Sequence, residues 1–192
     1  KKFGAFDVRV RNVNDVNNDY VPLEINVASK LFENDKEEQY YTENNEDFLR
    51  ETGIIKIIQH SDAFLRPHLV SNCNYDILYG SNNTCTPFKY ELNYRTFFYV
   101  NKGTVKIKLS PPKSKKYLYS EKDYENFEFR SLINPWNVQP QYQQDFNRTK
   151  CMDVVLHENA ILFVPAYWWY SIQFNKDSEL ISMKYRTYMN NL

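Results

Sequence analysis

The sequence predicts a mainly β chain, folded as a sandwich or barrel with a few short helices and long loops. Only four of the 192 residues are glycine, and runs of β-branched and aromatic residues favour strands over long helices. Short apolar segments alternate with polar turns through the second half of the chain. The length and the 42% hydrophobic content fit one globular unit with a sizeable core.

The first eighty residues carry fewer strand signals than the rest of the chain. Apolar and polar residues alternate over 6–10, which predicts a half-buried strand, and a second apolar segment spans 22–31. The charged stretch 33–46 is typical of a solvated helix or a long loop. Residues 45–52 predict a short helix, since an asparagine precedes two acids and a glycine follows. The isoleucine-rich stretch 54–58 predicts a strand.

A hairpin is the clearest local prediction in the second half. Residues 94–100 and 104–109 predict its two strands, because Asn101-Lys102-Gly103 is a tight-turn sequence and the second strand alternates apolar residues with lysines. Pro111-Pro112 ends this second strand. The remaining predictions are a charged loop over 113–126, an irregular stretch over 139–147, strands over 151–156 and 160–164, and a closing hairpin of 168–174 and 180–185.

Composition argues against two classes of partner. The formal net charge is zero, so we expect no general attraction to nucleic acid or anionic lipid. No apolar run approaches the roughly 18 residues that a membrane-spanning helix needs. The chain begins Lys1-Lys2-Phe3 rather than with Met, which is typical of a processed piece and leaves room for an upstream signal or anchor. Frequent use of Asn, Lys, Tyr, Ile and Phe indicates an AT-rich genome, as in a large DNA virus or a protist.

The cysteines and two short motifs leave the cellular compartment open. Cys73 and Cys85 flank an asparagine-rich turn and are a candidate disulfide in an oxidising compartment, whereas Cys151 would remain single. Asn82 and Asn147 each begin an Asn-x-Thr glycosylation motif. Such motifs arise often by chance in an asparagine-rich chain, so they remain candidates only.

Three segments resemble one known family. They are TPFKYE at 86–91, FFYVNKGTVKIKLSPP at 97–112, and ENAILFVPAYWWY at 158–170. Their order and spacing resemble the JmjC-type, cupin-like 2-oxoglutarate oxygenases, especially the asparaginyl hydroxylase that modifies hypoxia-inducible factor. The resemblance implies a double-stranded β-helix, the jelly roll of cupins. The resemblance covers 86–185, the predicted jelly-roll core, whereas residues 1–80 carry no motif that resembles a known family. We predict one cupin-like domain over 1–192, with strands, a short helix and loops over 1–80.

The iron ligands of that family are largely replaced. The resemblance places the first histidine of its facial triad at Lys89, the carboxylate at Glu91 and the distal histidine at Tyr170. A protonated lysine has no lone pair for Fe(II), and losing its proton is unfavourable at a reference pKa of about 10.4. Residues i and i+2 of a strand share one face, so Lys89 and Glu91 are instead expected to form an internal ion pair.

The co-substrate anchors are replaced as well. The resemblance places the lysine that pairs with the 2-oxoglutarate carboxylate at Val105, and an assisting asparagine at Lys184. Lys106 and Lys108 are expected to point to the opposite face of the strand, since neighbouring side chains alternate. Metal and co-substrate positions have therefore changed together, which indicates a degenerate pocket.

Other catalytic arrangements are poorly supported. His60, His68 and His157 are interpreted as surface or capping residues, with His68 the weak candidate for a relocated metal site. Cys151 has no neighbouring histidine in sequence and is a poor nucleophile candidate. Trp168 and Trp169 are interpreted as structural, one facing the core and the other the outer face or a partner.

The leading hypothesis is a non-catalytic cupin-like domain with a structural or interaction role. It expects no catalytic residue, metal or cofactor, and protein partners in a larger assembly; the virion shell of a large DNA virus is the suggested setting. One alternative is a 2-oxoglutarate-dependent oxygenase with an atypical metal site built from Glu91, Tyr170 and His68. Another is a sugar- or small-molecule-binding cupin that uses the vacated pocket.

Overall fold

Two antiparallel sheets form the body of the protein. The computed structural model describes residues 3–15, 19–124 and 128–190. Its strands are β1 (Asp7–Asn12), β2 (Tyr20–Glu24), β3 (Tyr40–Thr42), β4 (Val70–Gly80), β5 (Lys89–Tyr90), β6 (Arg95–Lys102), β7 (Thr104–Ser110), β8 (Ser120–Asp123), β9 (Glu128–Ser131), β10 (Met152–His157), β11 (Ile161–Pro165), β12 (Trp169–Phe174) and β13 (Glu179–Thr187). The seven-stranded sheet has the order β11-β6-β13-β4-β3-β1-β2, and the six-stranded sheet the order β10-β7-β12-β5-β9-β8. The predicted mainly β, jelly-roll class is confirmed.

Helices are few and short. They are α1 (Ile25–Asn34), α2 (Glu46–Glu51), α3 (Ile54–Ser61) and α4 (Gln143–Phe146), with 3₁₀ turns at Pro112–Tyr117, Pro140–Tyr142 and Tyr188–Asn190. Within the described ranges, none of these helices has the length and apolar character needed to cross a membrane. The predicted helix at 45–52 is confirmed as α2, with Glu46 and Asp47 in its first turn and Gly53 in a left-handed conformation after it.

The main core lies between the two sheets. It is built by inward-facing residues of alternating strands, among them Phe98, Val100, Val105, Ile107 and Leu180, each fully buried. A second apolar cluster lies on the outer face of the seven-stranded sheet, where the first three helices cover it. Trp169 is 1% exposed in a third cluster that includes Phe88 and Leu118, and Trp168 packs against the main core.

Both hairpins predicted from sequence are wrong in their pairing, although all four strands exist. β6 lies in the seven-stranded sheet and β7 in the six-stranded sheet, so the turn at Gly103 carries the chain across the sandwich. Likewise, β12 lies in the six-stranded sheet and β13 in the seven-stranded sheet, so the turn between them also crosses the sandwich. The two crossing turns pack together: a Cβ added at Gly103 would lie 3.1 Å from the carbonyl oxygen of Asp177. A short turn cannot distinguish a hairpin from a passage between layers.

The predicted strand at 54–58 is also wrong, since these residues form most of α3. Ile55 and Ile58, one helical turn apart, are buried against the sheet, while Ile57 is 68% exposed. Tertiary burial of one helix face therefore overrides the strand preference of isoleucine. Asp62, which follows α3, accepts hydrogen bonds from the hydroxyls of Tyr75 (2.7 Å) and Tyr185 (2.5 Å) and fixes the helix to the sheet.

Two charged stretches, 33–46 predicted as a solvated helix or long loop and 113–126 predicted as a loop, contain strands. The charged stretch 33–46 includes β3, which pairs with β1 and β4 in the middle of the larger sheet. The stretch 113–126 contains a 3₁₀ turn and β8, and its last two residues lie outside the described part of the chain. The apolar segment 22–31 divides between the end of β2 and α1.

Candidate functional site

Four of the five predicted site residues meet at one open end of the sandwich. Lys89 on β5 is paired directly with Tyr170 on β12, Glu91 follows β5, and Lys184 projects from β13 of the opposite sheet. The fifth, Val105, does not join them: it is fully buried in the main core. Lys106 is exposed, and Lys108 pairs with Asp153 at 2.6 Å, so both lysines face away from the core as predicted.

Lys89 is held by a carboxylate that sequence analysis did not identify. Its Nζ lies 2.6 Å from Oε2 of Glu43, just after β3, and both side chains are almost fully buried. The other oxygen of Glu43 accepts hydrogen bonds from Tyr20 (2.9 Å) and Tyr41 (3.2 Å) and lies 3.3 Å from Arg11. Burial alone would raise the pKa of Glu43, but the charges of Lys89 and Arg11 outweigh it and lower that pKa to about 2.

Glu91 has its own set of partners. Its Oε1 accepts hydrogen bonds from the Tyr170 hydroxyl at 2.6 Å and from Lys184 Nζ at 2.7 Å, and its Oε2 accepts one from the Asn93 amide at 2.7 Å. Burial raises the pKa of Glu91, and the positive charges of Lys184 and Lys89 more than compensate, so the net direction is downward. The ion pairs at this end are thus Lys89 with Glu43 and Lys184 with Glu91, and the expected pair of Lys89 with Glu91 is not among the ion pairs of the described residues.

A third buried acid, Asp76, holds the backbone next to Glu43. Asp76 on β4 accepts hydrogen bonds from the backbone N–H groups of Asn44 (2.7 Å) and Asn45 (2.8 Å). These bonds fix the turn that follows Glu43, in which Asn44 has a φ of +63°. Burial raises the pKa of Asp76 to about 6, against the lowering effects of Lys184 and of the two backbone donors.

The donor set does not fit Fe(II). At the two positions that the resemblance assigns to histidine, Lys89 is an ion-paired ammonium and Tyr170 is a phenol that donates a hydrogen bond to Glu91. Glu91, at the position that the resemblance assigns to the carboxylate, already accepts hydrogen bonds from three donors. Over the described ranges, no group of three His, Cys, Asp or Glu side chains is arranged to hold a metal ion. We therefore derive no iron chemistry from these residues.

The remaining sequence candidates are dispersed over the surface. His60, His68 and His157 are all exposed, and none of them lines the pocket. Asn82 and Asn147 are exposed, so both glycosylation candidates are accessible. All three cysteines are free: Cys73 lies on β4 in the larger sheet, whereas Cys85 bridges to Gln173 in the smaller sheet.

Sequence analysis missed Glu43, Arg11 and Asp76. Glu43 stands at the end of a charged stretch interpreted as solvated, and local periodicity carries no signal of its burial. One signal was available in the charges themselves: Lys89 and Lys184 were both placed in the pocket with only Glu91 to neutralise them. Buried charges need partners, so a second carboxylate from elsewhere in the chain was to be expected.

An open pocket of about 270 Å³ lies over the ion pairs. Its wall is mostly polar, and it is formed by β4, β5 and the segment after it, β13 and the turn after β3. The lining residues are Asn44, Asn72, Asn74, Lys89, Tyr90, Glu91, Leu92, Asn93, Lys184 and Arg186. The candidate site therefore consists of this pocket and the buried ion pairs beneath it, both held by the two sheets.

Comparison with known proteins agrees with this architecture. A family model described as a cupin-like domain matches residues 4–190, which includes the N-terminal strands as well as the jelly-roll strands. No curated protein matches the chain.

Proposed function

The chain belongs to the cupin-like domain family, and we propose that it is a non-catalytic member with a structural or interaction role. The observation that supports this proposal is the ion-paired network around Lys89, Glu91 and Tyr170, the positions that the resemblance assigns to the iron ligands. Three basic side chains and three acidic ones lie within it: Arg11, Lys89 and Lys184 with Glu43, Asp76 and Glu91. Protein ammonium groups thus supply the positive charge that a metal would otherwise bring to these carboxylates.

The ion-paired network is better suited to stabilising the fold than to catalysing a reaction. Each carboxylate is fixed by several donors, and Glu43 and Glu91 are held ionised by adjacent cations, which opposes proton transfer near neutral pH. Binding a divalent cation at Glu91 would bring it close to Lys184 and Lys89. That repulsion adds to the cost of breaking the hydrogen bonds from Tyr170 and Asn93.

The interaction role is supported by exposed apolar side chains beside an outer strand. Ile161 and Phe163 on β11, at the edge of the larger sheet, are 47% and 46% exposed, and Phe64 after α3 is 81% exposed. Clustered apolar surface beside a sheet edge is typical of protein contacts. We therefore propose a protein partner in a larger assembly. Recovery of the native protein as a free monomer would contradict this part of the proposal.

Anaerobic metal binding tests the absence of catalysis. Purified protein is titrated with Fe(II) or Mn(II), with and without 2-oxoglutarate, and bound metal per chain is measured. We expect no stoichiometric binding. The matched control is Glu91→Ala, checked for folding by circular dichroism, because weak surface binding should be unchanged in it. Near-stoichiometric metal that tightens with 2-oxoglutarate and disappears in Glu91→Ala would overturn the proposal and favour the oxygenase alternative.

A further inference from the structure

The interior face shared by β4 and β13 changes from apolar to polar toward the pocket. Cross-strand partners on this face are Leu78 with Leu180 in the core, then Asp76 with Ser182. The next two pairs are Asn74 with Lys184 and Asn72 with Arg186, and all four of these residues line the pocket. Side chains two residues apart on a strand share a face, so these four form one continuous polar surface.

Arg186 gives this surface a positive charge that the protein does not neutralise. Lys89 is paired with Glu43 and Lys184 with Glu91, each within 2.7 Å. In the described part of the chain, Arg186 forms no ion pair with a carboxylate. Glu46, which contacts Asn74 of the pocket wall, forms an ion pair with Arg50. The pocket therefore has one cation in excess.

The guanidinium of Arg186 is oriented before any ligand arrives. Its Nε donates a hydrogen bond to Oδ1 of Asn93 at 3.0 Å, and the amide of Asn93 donates to Glu91 at 2.7 Å. The two terminal amino groups of Arg186 have no protein acceptor within the described ranges. A guanidinium with one edge fixed and its terminal donors free is suited to a two-oxygen contact with a carboxylate or phosphate group.

Asparagine amides supply the uncharged part of the surface. Asn74 donates a hydrogen bond from its amide nitrogen to Glu46, and within the described ranges its carbonyl oxygen accepts none. The exposed side chain of Asn72 likewise makes no hydrogen bond in the described part of the protein. Amides offer both donors and acceptors, which matches hydroxyl groups. The volume of about 270 Å³ corresponds to about nine water molecules at ~30 Å³ each. This is room for a small, polar ligand.

We propose that the pocket binds a small hydroxylated anion, such as a sugar acid or a sugar phosphate, with its oxyanion on Arg186 and its hydroxyls on Asn72 and Asn74. This inference goes beyond the proposed non-catalytic role and requires no metal. It concerns binding only, so its outcome is independent of the metal titration. Carboxylate and phosphate share the chemistry that Arg186 would recognise, and the two are separated by experiment.

Isothermal titration calorimetry on the intact chain tests the proposal. The probes are glucuronate, glucose 6-phosphate, neutral glucose and 2-oxoglutarate, which carries two carboxylates and no hydroxyl. We expect saturable binding of at least one hydroxylated anion, and weaker binding of glucose and of 2-oxoglutarate. Arg186→Gln should raise the Kd for the anion roughly tenfold to a hundredfold, the range for a charged hydrogen bond, and leave glucose binding unchanged.

Two further variants make the result specific to this surface. Arg95→Gln is the matched control, because Arg95 lies on the neighbouring strand β6 and does not line the pocket. It should leave every Kd unchanged. Asn72→Ala removes an exposed side chain and should weaken hydroxylated anions more than 2-oxoglutarate. Absence of anion binding at millimolar concentration, equal loss in Arg186→Gln and Arg95→Gln, or tighter binding of 2-oxoglutarate than of both hydroxylated anions would overturn the proposal.

Discussion

Lys89 Nζ lies 2.6 Å from Glu43 Oε2, although the two residues are 46 positions apart and lie in opposite halves of the sandwich. Lys89 belongs to the six-stranded sheet, and Glu43 directly follows a strand of the seven-stranded sheet. The contact therefore joins the two sheets at the open end, where apolar packing gives way to the pocket. Lys89 is also the residue that the resemblance places at the first histidine of the family's iron site.

Lys89→Met should destabilise the protein strongly. The substitution leaves Glu43 buried with Arg11 as its remaining ion-pair partner, and loss of one partner from a buried ion pair costs about 3 kcal/mol or more. The free energy of unfolding, measured by urea denaturation at pH 7, checks this. Lys106→Met is the matched control, since Lys106 is exposed on β7, and surface substitutions usually stay within about 0.5 kcal/mol. Equal effects of the two substitutions would contradict the structural role of the pair.

Glu43 should make the stability depend on pH in acid. Its pKa is about 2 in the folded protein and near 4.5 when unpaired, which corresponds to about 3 kcal/mol of stability from the ionised form. Because the folded pKa is depressed, that stability is fully present above about pH 4.5 and is lost as the pH falls toward 2. Asp76 contributes with the opposite sign between about pH 6 and 4, because its pKa is raised.

A comparison of Glu43→Gln with the unmodified protein tests this effect, since both contain Asp76 and the charge of Glu43 is the smallest of the causes given for the raised pKa of Asp76. Unfolding free energies measured by urea denaturation between pH 2.5 and 6.5 should differ most above pH 4.5, and the difference should shrink in more acidic buffer. Glu51→Gln, at an exposed position in α2, serves as the control and should show a small difference at every pH. A constant difference between Glu43→Gln and the unmodified protein would show that the carboxylate is not held ionised.

The fold was largely predictable because its strands carry local patterns. Alternation over 104–109 identified β7 and the correct facing of its lysines, since every second residue lies in the main core. The two predicted hairpins failed for a different reason. Whether β6 pairs with β7 depends on which strands lie beside each in the sandwich, and those neighbours, β11, β13, β10 and β12, come from a distant part of the chain. Turn sequences carry no information about that choice.

The candidate site was predictable only for the half that lies within the resembling segments. Lys89, Glu91, Tyr170 and Lys184 converge as the motif spacing implied. Their partner Glu43 comes from the N-terminal part of the chain, where no motif identified it. Similarly, α3 was missed because four isoleucines favour a strand until the apolar underside of the helix is packed on the sheet.

Converting the pocket to a metal site should require three substitutions. Lys89→His with Tyr170→His introduces two imidazoles. Lys184 Nζ, which lies 2.7 Å from Glu91 Oε1, would still compete with a metal ion for that carboxylate. We therefore expect little or no stoichiometric Mn(II) binding in the double variant and measurable binding after Lys184→Asn is added, because the carboxylate is then freed. Metal content per chain after gel filtration measures this, and Lys108→Asn in place of Lys184→Asn is the control. Stoichiometric binding by the Lys89→His single variant would contradict the importance of Lys184.

Asp62→Asn should loosen the attachment of α3. The carboxylate accepts hydrogen bonds from Tyr75 and Tyr185 and pairs with Arg66 at 2.8 Å, while being almost completely buried. An amide retains one acceptor oxygen and loses the charge, so we expect a loss of about 2–4 kcal/mol. Hydrogen exchange should increase in α3 before it increases in β12. Asp47→Asn, at an exposed ion pair with Arg9, is the control and should change little.

Thiol reactivity distinguishes the three cysteines and tests the candidate disulfide. Cys151 is exposed and should react first with a chromogenic disulfide reagent at pH 8. Burial raises the pKa of the Cys85 thiol to about 11 despite its contact with Gln173. Roughly one thousandth of this thiol is therefore thiolate at pH 8, and its reaction should be slow.

The number of thiols after unfolding tests the candidate disulfide. Protein unfolded in guanidinium without reductant should titrate three thiols, because Cys73 and Cys85 lie in different sheets and are unpaired. Cys151→Ser should remove the fast phase and leave two, whereas a count of one thiol in the unmodified protein would establish the Cys73–Cys85 disulfide.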